Sequence, residues 1–154
     1  MLIHHSLLAL HLLAAAFWVG GMATLQSAVR PAIAANLPQP PQRLALMAGV
    51  LQRFFFGVTL AIVALLCSGL AMVLLSGGFR AQPPSVHAML LLGLLMMALF
   101  GHIRLGLYTR LQRAIEAAAW PTAGVALNGI RRLVGVNLVL GVVVFVVALL
   151  GRVP

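Results

Sequence analysis

A chain of 154 residues that is 63% hydrophobic and only 7% charged cannot cover a soluble domain with polar surface, so it reads as an integral membrane protein. Its formal charge of +9 does not make nucleic acid a partner, because the arginines flank apolar stretches, where the anionic head groups of a lipid bilayer attract them. Its single cysteine, Cys67, leaves no intrachain disulfide and no cysteine-rich zinc site, and reads as a small packing residue.

Crossing a hydrocarbon core takes roughly 20 mainly apolar residues, and four stretches qualify, at about 6–29, 54–78, 86–103 and 133–150. The predicted fold is all-α, an integral membrane four-helix bundle forming one domain over residues 1–154. The first stretch contains "HHSLLALHLLAAAFWVGGM" (4–22). It has no Lys or Arg before Arg30 and an uncharged run too long for a signal-peptide h-region, so it is expected to stay as helix I. "NLPQPPQR" (36–43) cannot continue a helix, because Pro38, Pro40 and Pro41 remove donors and clash with the preceding turn. Helix II follows, and "SGGFRAQPPS" (76–85) breaks the chain again, with Ser85 a credible N-cap for helix III. Residues 104–132 read as amphipathic helix interrupted near Trp120-Pro121, so helices III and IV are expected to extend into the cytoplasm, with Arg113 and Glu116 paired at i,i+3. Small residues form packing stripes at Ala16, Gly20 and Thr24 on helix I, and at Gly57, Ala61, Ala64 and Ser68 on helix II.

Polar residues inside such spans are expensive and point to function. His4, His11 and Trp18 are spaced by seven, which keeps them on nearly one helix face. His4 and His5 sit at the terminus as interface residues, whereas His11 is embedded in the span and His87 opens helix III at the same end. His102 lies some 22 Å deeper than His87 at the standard helical rise and shares no metal with it. Asn137, an amide within span IV, needs a partner.

In order, His11, Trp18 seven on and Gly21 ten on, then "RPAIAA", "PPQRLALMAGVLQRFF", "VHAMLLLGLLMMALFGH" and "IRRLVGVNLVLG" resemble the CopD-like (copper resistance protein D) membrane proteins over nearly the whole chain. The helix I pattern also resembles the HemJ-type protoporphyrinogen oxidases, small four-helix proteins in which the matching His is implicated in binding haem b. Two positions depart from that second pattern, since Met89 stands where those proteins carry Lys and Ser27 where they carry Arg.

The leading expectation is one haem b between helices I and III, with His11 and His87 as axial ligands and Phe17, Trp18 and Gly21 shaping the pocket. Its chemistry would be membrane electron transfer by a haem-dependent oxidoreductase, with a redox partner protein or a quinone near an inner set of Arg53, His102, Arg104, Arg132 and Asn137. That set would alternatively hold haem propionates or another anion, since Arg favours carboxylates. The alternative implied by the CopD resemblance is copper binding or transport, with Met72 and Met89 joining the histidines as soft ligands for Cu(I). A non-catalytic accessory subunit of a membrane complex is the third reading.

Orientation follows from the arginines. Arg30, Arg43, Arg53, Arg104, Arg110, Arg113, Arg131 and Arg132 fall on one side of the four spans, and Arg80 and Arg152 on the other. Positive charge marks the cytoplasmic side, which predicts a multi-pass protein of the bacterial inner membrane with both termini on the outer, periplasmic side. A phosphatase fused after Pro154 is expected to be active in the periplasm; a fusion active only in the cytoplasm reverses the assignment.

Overall fold

The computed structural model describes residues 2–151. Its elements are helical. α1 (Leu2–Thr24) continues through a π-helical segment (Leu25–Val29) into α2 (Arg30–Asn36); α3 spans Pro40–Leu75; α4 (Pro84–His102) continues through a second π-helical segment (Ile103–Leu107) into α5 (Tyr108–Glu116); α6 spans Trp120–Leu150. They make four rods, helices I to IV, over Leu2–Asn36, Pro40–Leu75, Pro84–Glu116 and Trp120–Leu150, each long and apolar enough to cross a membrane. Helix is the open-chain solution here, because every backbone donor and acceptor in lipid must be satisfied within its own segment.

Proline sets the starts of three rods. Pro40, Pro84 and Pro121 occupy the first helical turn of α3, α4 and α6, where a missing N–H costs nothing and the fixed φ suits the helix. Gly77 and Gly78, with φ of 90° and 83°, make the reversal between helices II and III that other residues resist. Between helices III and IV, Ala118 takes φ of 51° just before Trp120, which is the interruption expected from the sequence.

Helix I packs mainly on helix II, helix III mainly on helix IV, and I on IV closes the bundle. Edge-to-face rings run through the middle: Trp18 meets Phe100 with centroids 6.1 Å apart, Phe100 meets Phe55 at 5.6 Å, and Phe55 meets Tyr108 at 5.4 Å, the arrangement that ring quadrupoles favour. Tyr108 donates its hydroxyl to the carbonyl of Ala48 at 3.1 Å, pinning α5 to helix II. On the seam between helices I and II, rings fill glycine hollows: a side chain at Gly57 would meet the Phe17 ring, one at Gly21 the Phe54 ring, and one at Gly69 the His11 ring.

Several expectations are corrected. Helices I and II also run past the expected spans, to Asn36 and back to Pro40, so all four rods lengthen at the arginine end and the connection between I and II shrinks to three residues, 37–39. Ser85 is not the cap of helix III; Pro83 holds that place with no side-chain cap bond, and Ser85 packs against Gly151 instead. Ala16, Gly20 and Thr24 are exposed, because the face of helix I that meets helix II is the neighbouring one, carrying Phe17 and Gly21. Cys67 is exposed rather than packed. Arg113 and Glu116 are both exposed and form no ion pair among the described residues, as solvent screening leaves such a pair little to gain.

Gly141 on helix IV tests this packing. A Cβ there would lie 2.6 Å from Cγ2 of Val19 and 3.3 Å from Cε of Met96, whereas one at Gly93 would meet nothing within 4 Å. Gly141→Ala is expected to destabilise the detergent-solubilised protein by about 1–3 kcal/mol through overpacking, and Gly93→Ala to be neutral or stabilising. Thermal unfolding of the two variants side by side checks it; an unchanged Gly141→Ala protein would mean that helices I, III and IV do not meet there.

Candidate functional site

His11 is half-buried between helices I and II. Its Nδ1 lies 2.9 Å from Oγ of Ser68, and Ser68 is buried at 1% exposure. The direction of this bond follows from what else the serine does. Its hydroxyl donates within its own helix, toward the carbonyls of Ala64 at 2.6 Å and Leu65 at 3.3 Å, so toward His11 the oxygen accepts. With that direction His11 carries its proton on Nδ1 and Nε2 is left to accept, and fixing one ring nitrogen is how proteins prepare the other as a metal ligand.

Met72 stands four residues beyond Ser68 on α3, the spacing that puts side chains on one helix face, and it is half-buried. It lies one turn from Ser68 toward the end of the bundle that carries the histidines. His4 is exposed two turns beyond His11 on α1, with its ring 6.4 Å from that of His5 in an edge contact. Trp18 and Met22 continue the His11 face in the other direction, buried at 3% and 2%.

His87 is placed elsewhere. It is exposed on the first turn of α4, and its Nδ1 bonds the carbonyl of Pro83 at 3.2 Å. Met89 is half-buried on the same turn. Taking the Trp18–Phe100 contact as a common level, His11 lies about 10 Å and His87 about 20 Å from it toward the histidine end. The surface that His11 faces belongs to helix II, not helix III. A haem with two imidazole ligands needs both on one iron from opposite faces; these residues do not fit that arrangement, since Phe17 and Phe54 fill the hollows at Gly57 and Gly21 and Trp18 packs on Phe100. Among the described residues, no group of three His, Cys, Asp or Glu side chains converges as a metal cage.

The five residues of the expected inner set are also dispersed. Arg53 is exposed and turns back on the carbonyl of its own helix at Gly49, 3.3 Å away. His102 is exposed at the end of α4, and Arg104 is half-buried in the π-helical segment after it. Arg132 is exposed on helix IV, where it lines a cleft with Gln26 of helix I. Asn137 is at 1% exposure in the core. Its amide nitrogen donates to the carbonyl of Met96 at 3.3 Å, the interhelical partner such an amide requires, while its Oδ1 has no partner. A buried unpaired acceptor costs about 1–3 kcal/mol.

With four membrane-length rods and a prepared imidazole in place, comparison with known families is informative. The model of the family described as copper resistance protein D matches residues 48–150. The chain belongs to the copper resistance protein D family. The match runs from within helix II to the end of helix IV and leaves helix I, with His11, outside it. No curated protein and no solved structure matches the chain.

Ser68 escaped the sequence reading except as a small packing residue. What marks its role is its pairing with His11 across 57 positions of sequence, and nothing in the local pattern of helix II announces that. Ser68→Ala removes the acceptor and is expected to shift the imidazole from the Nδ1–H toward the Nε2–H tautomer. Nitrogen-15 spectroscopy of the labelled histidine in detergent reads this directly; the same tautomer in both proteins would remove Ser68 as the orienting group.

Proposed function

We propose that this CopD-family chain handles Cu(I) in the bacterial inner membrane, as one four-helix unit over residues 1–154 with its histidine end outward. The observation that carries the reading is the Nδ1 bond of His11 to Ser68 at 2.9 Å, which leaves Nε2 free beside a helix face bearing Met72. Imidazole and thioether are the soft ligands that suit Cu(I). His4 and His5 at the exposed terminus give a first capture point, Met72 and His11 a second within the span, and copper moves between them as cargo. His87 and Met89 offer a separate soft pair on helix III. The family match supports copper as the metal concerned, and the orphaned Oδ1 of Asn137 gives a polar stop further along the bundle.

Haem b with electron transfer to a quinone or a redox partner is the competing reading, and an accessory subunit without metal is the third. One purified sample separates them. In anaerobic titration against a colorimetric Cu(I) chelator, the protein is expected to take up copper, with His11→Ala and Met72→Leu each weakening affinity at least tenfold, about 1.4 kcal/mol, and Ser68→Ala by about 10- to 100-fold, as losses of orienting partners do. Cys67→Ala is expected to change nothing. Sharp α and Soret bands in the dithionite-reduced minus oxidised spectrum, lost in His11→Ala, would overturn copper in favour of haem; neither copper uptake nor haem bands would leave the accessory role.

A further inference from the structure

At the opposite end of the bundle, helices I and IV border a second polar centre, open to its surroundings, that the copper reading does not use. Two shallow clefts meet there, sharing Gln26 and Arg131. Arg30 lines the first cleft, and Asn128 and Arg132 line the second. Arg30 follows Gln26 by four residues, so the two share a face of helix I; Asn128, Arg131 and Arg132 fall within just over one turn of helix IV.

Three features make this more than interfacial charge. Gln26 lies in the π-helical segment Leu25–Val29, the kind of local widening that recurs at functional sites because it re-aims side chains. Re-aimed, Gln26 donates its amide to the carbonyl of Arg131 at 2.9 Å, which fixes one wall of the cleft across the helix boundary. No carboxylate compensates the three guanidinium groups. The sole acidic residue of the chain is Glu116, exposed on α5 and lining neither cleft. Below the arginines the first cleft is apolar, floored by Leu25, Met47, Leu51 and Val134 among others.

We propose that this cleft binds a phosphate-class anion, with Arg30 and Arg131 as its principal charged ligands, Arg132 and Asn128 at its margin, and Gln26 as the group that holds the cleft in shape. Arginine's planar fork suits phosphate, and basic pockets between membrane helices take anionic head groups. The ligand chemistry is the phosphate, and a lipid is its expected source, because apolar side chains border the arginines as acyl chains border a head group.

Native mass spectrometry of the full chain in neutral detergent tests this with three probes: phosphatidylglycerol, phosphatidylcholine and inorganic phosphate. Phosphatidylglycerol is expected to remain bound as one molecule in at least tenfold preference to phosphatidylcholine. Arg30→Gln with Arg131→Gln is expected to abolish that preference, and Arg110→Gln, exposed on α5, to leave it intact. Gln26→Leu, which keeps both arginines, is expected to weaken retention several-fold. Inorganic phosphate binding and displacing the lipid in an arginine-dependent way would keep the site and make its source soluble phosphate. Equal retention of both lipids, or retention unchanged in the double variant with no phosphate binding, would overturn the proposal. Thermal unfolding of each variant in the same detergent identifies any that is misfolded, and the single variants Arg30→Gln and Arg131→Gln then replace the double one.

Discussion

Three rings seated against three glycines hold helix I on helix II, and the rest of the arrangement depends on that seam. Phe17 lies over Gly57, Phe54 over Gly21 and His11 over Gly69. In lipid there is no hydrophobic drive for two apolar helices to associate, so close backbone approach and dispersion between fitted surfaces must supply it. The alternation is reciprocal, with helix I giving two rings and one glycine and helix II one ring and two glycines. Sliding one helix past the other by a turn would drive rings into side chains. The seam therefore sets register, and register sets which residue of helix II the imidazole of His11 meets.

Polar groups in the spans divide by where their hydrogen bonds go. Ser6, Thr24, Ser27, Thr59 and Thr109 each return their hydroxyl to a carbonyl four residues back, which satisfies them within their own helix and leaves them without a say in assembly. Four others reach across: His11 to Ser68, Gln26 to the carbonyl of Arg131, Tyr108 to that of Ala48, and Asn137 to that of Met96. These bonds sit at different heights and link I to II, I to IV, III to II and IV to III. Where a bond leaves an atom to spare, chemistry is available. That is the case for Oδ1 of Asn137, and for Nε2 of His11 when Ser68 accepts from Nδ1.

The four spans and the proline breaks are readable in the sequence because each depends on composition or spacing along a single helix. What fails is everything that depends on which helix stands beside which. His11 and His87 seem paired when only depth is counted, but depth does not name a neighbour; the Phe17–Gly57 and His11–Gly69 contacts do, and they turn His11 toward helix II. The small-residue stripe at Ala16, Gly20 and Thr24 misleads for a related reason. Its spacing is sound, yet the adjacent face carries the larger rings and wins the contact. Arg53, Arg104 and Arg132 are near one height in the sequence reading, but Arg53 bonds back to its own helix at Gly49 and only Arg132 lines the cleft with Gln26. Gln26 and Arg131 are found only through a π-helical turn, whose extra residue no hydrophobic period predicts.

The two ends of the bundle are chemically opposed, and their opposition bears on copper. The histidine end offers imidazole and thioether groups with Arg80 beside them; the other end gathers Arg30, Arg43, Arg104, Arg110, Arg113, Arg131 and Arg132 with one carboxylate in the whole chain. A cation moving inward from His11 meets rising positive potential in a medium where charges several ångströms apart still interact by a few kcal/mol, at the effective dielectric constant of a protein near its surface. The protein's own residues do not relieve that barrier. A phosphate held between Arg30 and Arg131 would, because it converts the nearest guanidinium groups from bare charges into a compensated pair. On this reasoning the proposed anion site and the proposed copper route would be electrostatically linked: were both in place, a membrane short of acidic phospholipid would leave the arginine end opposing the passage of Cu(I) captured at the histidine end.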